Sequence, residues 1–199
     1  MTRRCPVWVP VLVLVLTVAQ LAVAEYVPGI ERFADKAFTA RLIAYPLLQL
    51  LVPFLWWVVV KRRHPDRHPP YGAFTLVMLP FLVDVTGNSL DLFDAVVWWD
   101  DFSHFANWAL LLTGIGLLIC GSVRPPWAVV PLLTGLGALI AVAWELGEWY
   151  TFIRHGTEIN TAYEDTLGDE TLGTLGALVA GLVVARVLRP QRQYADLGR

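Results

Sequence analysis

Cysteine is scarce: the 199-residue chain has two, Cys5 and Cys120. Both fall on the side assigned below to the cytoplasm, where reducing conditions keep thiols free, so neither a disulfide nor thiol chemistry is expected. Charge is thin as well, at 16% of residues. No stretch between the apolar blocks is long enough to fold as a soluble domain. No Ser-, Cys- or His-rich signature of a membrane hydrolase is present. There is no internal repeat of the kind many carriers show. No nucleic-acid partner is expected.

What the chain has in abundance is apolar sequence: 56% hydrophobic residues and a mean hydropathy of +0.56. A soluble domain averages roughly 45–50%. The excess falls in blocks of about 18–24 residues, the length that crosses about 30 Å of hydrocarbon at 1.5 Å per residue. Six segments result: Pro6 to Ala24, Thr39 to Val60, Gly72 to Leu90, Phe102 to Cys120, Trp127 to Tyr150 and Asp169 to Leu188. Lipid offers the backbone no hydrogen-bond partner, so each must be a helix. The expectation is an all-α polytopic membrane bundle of six transmembrane helices, one membrane domain over residues 1–199. Pro46, Pro53 and Pro80 fall inside segments and should kink them. The first segment also reads as a signal peptide ending "AVAE". Its apolar run of about 18 residues exceeds the usual h-region of roughly 7–15, which favours a retained helix. Glu25 stands outside on either reading.

Basic residues set the orientation. Arg3 and Arg4, the loop "KRRHPDRH" (Lys61 to His68), Arg124, and Arg186, Arg189, Arg192 and Arg199 hold 11 of the 15 Lys and Arg. The positive-inside rule places them in the cytoplasm, with both termini. Of 17 acids only Asp66 and Asp196 share that side. The net charge of −2 therefore conceals a polarised chain, +9 inside and −11 outside. Trp56, Trp57, Tyr71 and Trp127 mark the inner interface, and Trp98, Trp99, Trp149 and Tyr150 the outer one. The reading is a multi-pass membrane protein with its basic loops in the cytoplasm. His64 and His68 read as loop residues beside lipid headgroups, and the basic loop could meet anionic lipid, although topology signalling explains it equally well.

The polar residues inside the apolar runs carry the functional argument. Asp84, Asn88 and Asp91 share one face of the third segment. Asp84 lies about 18 Å from its inner end, where a lipid-facing Asp costs roughly 2.5–3.5 kcal/mol, so it should face the interior and have a partner. The fourth segment opens with Asp100, Asp101 and His104, whose i, i+3 and i, i+4 spacings bring carboxylates to the imidazole. Asn107 continues that face. The fifth ends "AWELGEWY", with Glu145 and Glu148 on the face of Ala141 and Gly137. In the sixth, Asp165, Asp169, Gly173, Ala177 and Gly181 form one line. Small residues let membrane helices approach closely, so the acids stand where helices are tightest. Assembly would collect Asp84, Asp91, Asp101, His104, Glu145, Glu148, Asp165 and Asp169 at the outer side. So many carboxylates need shared protons, Arg partners or a cation. Arg41 and Arg154 are candidate partners, too few for eight groups. A divalent metal (Mg, Mn or Zn) is therefore expected on Asp84, Asp101, His104, Glu145, Glu148, Asp165 and Asp169. The catalytic candidates are His104, Asp101, Glu145 and Arg154. Glu25, Glu31, Asp35, Glu158 and Glu164, with Asp94 and Glu170, read as hydrated interfacial acids. Asp100, at the water boundary, is divided between that reading and the site.

"DDFSHF", "WELGEWY" and "YEDTLGDETLGTLGA", in that order, resemble the YjdF-like family of bacterial inner-membrane proteins, whose function is unassigned. The resemblance runs from Asp84 to Ala185. The layout is also similar to VanZ-like membrane proteins, a group associated with glycopeptide-antibiotic resistance. Their pattern is Asp-x-x-His, Glu-x-x-Gln, an Arg, then Asp with Asn four residues on. The counterparts are Asp101 and His104, Glu145 and Glu148, Arg154, and Asp169 and Gly173. Glu148 stands where Gln is usual and Gly173 where Asn is usual. The resemblance implies an envelope role without fixing a reaction.

Three functions compete. A metal-assisted enzyme would act at the outer face on a lipid headgroup or lipid-linked envelope substrate, with His104 as general acid–base and Arg154 on a phosphate. A non-catalytic protein would bind or scaffold an envelope lipid, peptide or antibiotic. A proton- or ion-coupled transporter is the third, opposed by the apolar inner halves of the last three segments.

Overall fold

A computed structural model describes residues 5–30, 33, 36–151, 153–155 and 162–196. Arg3, Arg4, Glu31, Asp35, Glu158 and Arg199 lie outside them. The described chain is helical, without strands. The helices are α1 (Trp8–Tyr26), α2 (Phe38–Trp56), α3 (Tyr71–Ser89), α4 (Leu92–Ala95), α5 (Trp99–Ile119), α6 (Val129–Thr151) and α7 (Ala162–Asp196). Six are long and apolar enough to cross a membrane, all but the one-turn α4.

The six expected segments map onto these helices with shifted ends. Pro46 and Pro53 stand inside α2 and Pro80 inside α3, and none ends its helix. Downstream of Pro53 the helix widens into a π turn at Trp57–Lys61; a proline supplies no N–H to the ladder, and wider turns are one local adjustment that re-satisfies it. α7 starts seven residues before the expected Asp169. Its first turn carries Glu164 and Asp165, as the first turn of α5 carries Asp100 and Asp101. Acids there complement the positive end of the helix dipole, so part of the acid excess serves helix starts.

Contacts divide the chain into two compact units, Met1–Trp99 and Asp100–Arg199. In the first, α1 packs on α2 and α3. Leu21, Val77 and Val85 fill its interior, joined by two polar side chains that are fully buried, Thr17 and Gln49. The Gln49 amide donates to Thr17 Oγ1 at 3.0 Å and to the Met78 carbonyl at 3.1 Å, tying all three helices together. The Gln20 amide donates to Thr86 Oγ1 at 3.1 Å.

In the second unit the small-residue lines are the helix contacts. A β-carbon on Gly137 of α6 would stand 2.2 Å from the Ala177 β-carbon of α7, and one on Gly181 would stand 2.9 Å from the Val130 backbone. Backbones this close maximise van der Waals contact, the main attraction available between helices in lipid. Leu112, Leu133 and Val184 are fully buried between them. Both cysteines are free; Cys120 belongs to this core, and Cys5 is half-buried in the first unit.

Candidate carboxylate–histidine site

The site of the second unit follows from helix register. Gly173 and Gly176 of α7 leave no room for side chains against α5. A β-carbon on Gly173 would meet the Trp108 indole at 2.2 Å, and one on Gly176 would meet the Phe105 carbonyl at 2.3 Å. His104 lies one turn before Trp108, and Asp169 one turn before Gly173. The tight contact therefore sets imidazole and carboxylate opposite each other. His104 Nδ1 stands 3.5 Å from Asp169 Oδ1, and its Nε2 stands 3.7 Å from Asp100 Oδ1, four residues earlier on α5.

Glu145 reaches the same level by the same logic. It lies two turns beyond Gly137 on α6, and Asp169 lies two turns before Ala177 on the antiparallel α7. Both acids are buried, at 7% and 4% exposure. Among the described residues, neither acid has a Lys or Arg within ion-pair distance.

Asp100, His104 and Asp169 each offer a ligand atom, all within 4.8 Å of one another. Two atoms each about 2.1 Å from one ion stand about 3.4 Å apart at the tetrahedral angle, and the His104–Asp169 separation is of that size. Carboxylate oxygens with one imidazole suit Mn²⁺ or Zn²⁺, and the carboxylates alone suit Mg²⁺.

The other expected residues are placed differently. Asp101 and Asp165 are exposed and Glu148 is half-buried. Arg154 is exposed, with its guanidinium 5.2 Å from the centre of the Tyr150 ring. Asp100, only half assigned to the site on sequence, belongs to the cluster; its i, i+4 spacing to His104 was the signal, and the helix turn points Asp101 outward. Asp84 and Asp91 lie in the first unit with cations of their own. Asp84 Oδ2 accepts from the Tyr45 hydroxyl at 2.5 Å and faces Arg41 Nη1 at 3.5 Å, and the Asn88 amide donates to Asp84 Oδ1 at 3.3 Å. This carboxylate is compensated by protein groups.

Asp91 pairs with Lys36, which sequence reasoning did not single out. Lys36 Nζ stands 2.5 Å from Asp91 Oδ1 and 2.7 Å from Asp94 Oδ2. Burial alone would lower the lysine pKa; hydrogen bonds and charge from Asp94 and Asp91 outweigh it and hold the ammonium above the ordinary lysine value.

An all-helical membrane protein with six candidate spans and a carboxylate–histidine cluster is the class these features define. Within that class, the chain belongs to the YjdF-like family described as "Predicted membrane protein (DUF2238)", which matches residues 9–190. No curated protein and no solved structure matches it.

Proposed function

We propose that the second unit holds a divalent cation at Asp100, His104 and Asp169, at the outer side of the bacterial inner membrane. Through it the unit takes the phosphate of a lipid headgroup or lipid-linked envelope molecule. The observation that carries this reading is Asp169, 4% exposed, with an imidazole 3.5 Å away and no Lys or Arg in reach among the described residues. Burying an ionised carboxylate is costly unless it is paired or binds a metal.

A cation there would polarise a phosphoryl oxygen. Arg154, exposed beyond α6, is available to a phosphate. The VanZ-like layout supports an envelope role. At Gly173, where that layout has Asn, the Trp108 indole fills the space, which argues for a different ligand. A transporter is disfavoured because Leu112, Leu133, Ala180 and Val184 close the interior below the cluster with apolar side chains.

Metal analysis of protein purified without chelator tests the reading. One equivalent of divalent metal is expected in the wild type and a strongly reduced content in Asp169→Asn. A metal-free wild type would overturn it.

A further inference from the structure

The first unit ends, at the α2–α3 connection, in a basic loop that the proposed cation site does not use. Lys61, Arg62, Arg63 and Arg67 follow the π turn that closes α2, and Asp66 is the one acid among them. The other acids of the unit belong in sequence to the opposite connections or to helix residues beside them, apart from Asp84 inside α3.

The loop is folded. The Arg67 N–H donates to the His64 carbonyl at 3.1 Å, closing a turn over Pro65 and Asp66, with proline where such turns favour it. The His64 N–H donates to the Val60 carbonyl at 2.8 Å, which joins the turn to the helix end. The Lys61 ammonium donates to the carbonyls of Pro65 and Arg67, so this lysine holds the loop's own backbone. The Arg62 guanidinium lies over the Trp57 ring, 4.9 Å from its centre, a cation–π contact that leaves its charge in place. Arg63 and Arg67 are exposed. Among the described residues, no carboxylate lies within ion-pair distance of any of the four basic side chains, and Asp66 is itself exposed.

Topology signalling depends on the number of basic residues alone. It requires neither a closed turn, nor a lysine on backbone carbonyls, nor a stacked arginine. What the fold adds is placement. Trp57 and Val59 are exposed apolar residues on the last turns of a candidate span, the level at which acyl chains meet headgroups. The connection is anchored on both sides by spanning helices and stays beside that layer. Guanidiniums there meet lipid phosphates, which they bind through paired N–H donors. Four bases against one acid leave three positive charges in the loop, which favours a headgroup of net negative charge over a zwitterion.

We propose that the α2–α3 loop is a headgroup site for an anionic phospholipid, with the phosphate on the guanidiniums of Arg63 and Arg67 and with Arg62 beside them on Trp57. The proposal rests neither on the cation site of the second unit nor on which side of the membrane the loop faces.

The test uses the full chain in nanodiscs of phosphatidylcholine with a small fraction of spin label on an acyl chain of either phosphatidylglycerol or phosphatidylcholine. The motionally restricted population is read by electron paramagnetic resonance. The glycerol lipid is expected to be restricted about two- to fivefold more than the choline lipid, the upper value being the attraction of one basic residue to an anionic surface. The double variant Arg63→Gln, Arg67→Gln should lose most of this preference. An equal loss of charge at exposed positions of α7, Arg186→Gln with Arg189→Gln, should keep most of it. Equal restriction of the two lipids in the wild type, a preference that survives in Arg63→Gln, Arg67→Gln, or an equal drop in both double variants, the mark of general surface charge only, would each overturn the proposal.

Discussion

His104 of α5 and Asp169 of α7 face each other with Nδ1 and Oδ1 3.5 Å apart, each one turn before a residue of the Trp108–Gly173 contact. The site is thus held by packing between helices, and its polar groups can be altered without disturbing the apolar contact beneath. Asp169→Asn should abolish most divalent-cation binding, whereas Asp101→Asn, at an exposed position, should change the dissociation constant less than about threefold. Titration calorimetry of the two variants checks the order. Equal losses would return Asp101 to the site.

The small-residue lines should be the most sensitive positions of the second unit. Gly137→Leu drives a side chain into Ala177 and should destabilise by about 1–3 kcal/mol or more. Gly147→Ala, on the same helix with nothing within 4 Å of its added carbon, should be neutral or stabilising by up to about 1 kcal/mol, since Ala is the better helix former. Thermal unfolding in detergent separates the two variants.

Asp84 should behave as a structural ion. Asp84→Asn leaves Arg41 partly buried without its counter-charge, which costs about 3 kcal/mol, and Tyr45→Phe, which removes one hydrogen bond to the carboxylate, costs about 1–2 kcal/mol. Cation content should stay at the wild-type level in both. A loss of bound metal in folded Asp84→Asn would place Asp84 in the cation site after all.

Lys36 makes stability depend on alkaline pH. Its folded pKa is raised above the unfolded value of about 10.4. The stabilisation is therefore fully present below the unfolded value and lost as pH rises through the folded one. The stability gap between wild type and Lys36→Gln, about 1 kcal/mol, should be flat from neutral pH to mildly alkaline and shrink above about pH 10.4. A gap that widens there contradicts the pairing.

Orientation is open to direct labelling. In a chain with Cys5 and Cys120 replaced, Val97→Cys should react with an impermeant maleimide from outside and Pro65→Cys only after the membrane is breached. The reverse pattern would turn the cation site to the cytoplasm.

The helices were legible because their signal is strong: six long apolar runs, each obliged to satisfy its own backbone. Gly137, Ala177 and Gly181 could be read as contact points from spacing alone. The grouping of the acids could not. Asp84 sits on the predicted buried face, but its compensation by Arg41 and Tyr45 depends on how α2 packs on α3. The choice of Asp100 over Asp101 turns on the rotation of one helix by a single residue, about 100°, which fixes which carboxylate meets His104. Lys36 lies in a connection with no periodicity to mark it.

The central claim, that Asp100, His104 and Asp169 hold a cation, is tested most directly by pulsed electron paramagnetic resonance of the Mn²⁺-loaded protein. Modulation from one imidazole nitrogen is predicted in the wild type, lost in His104→Gln and retained in Asp101→Asn. A bound Mn²⁺ spectrum without nitrogen coupling, or one unchanged in His104→Gln, would contradict it.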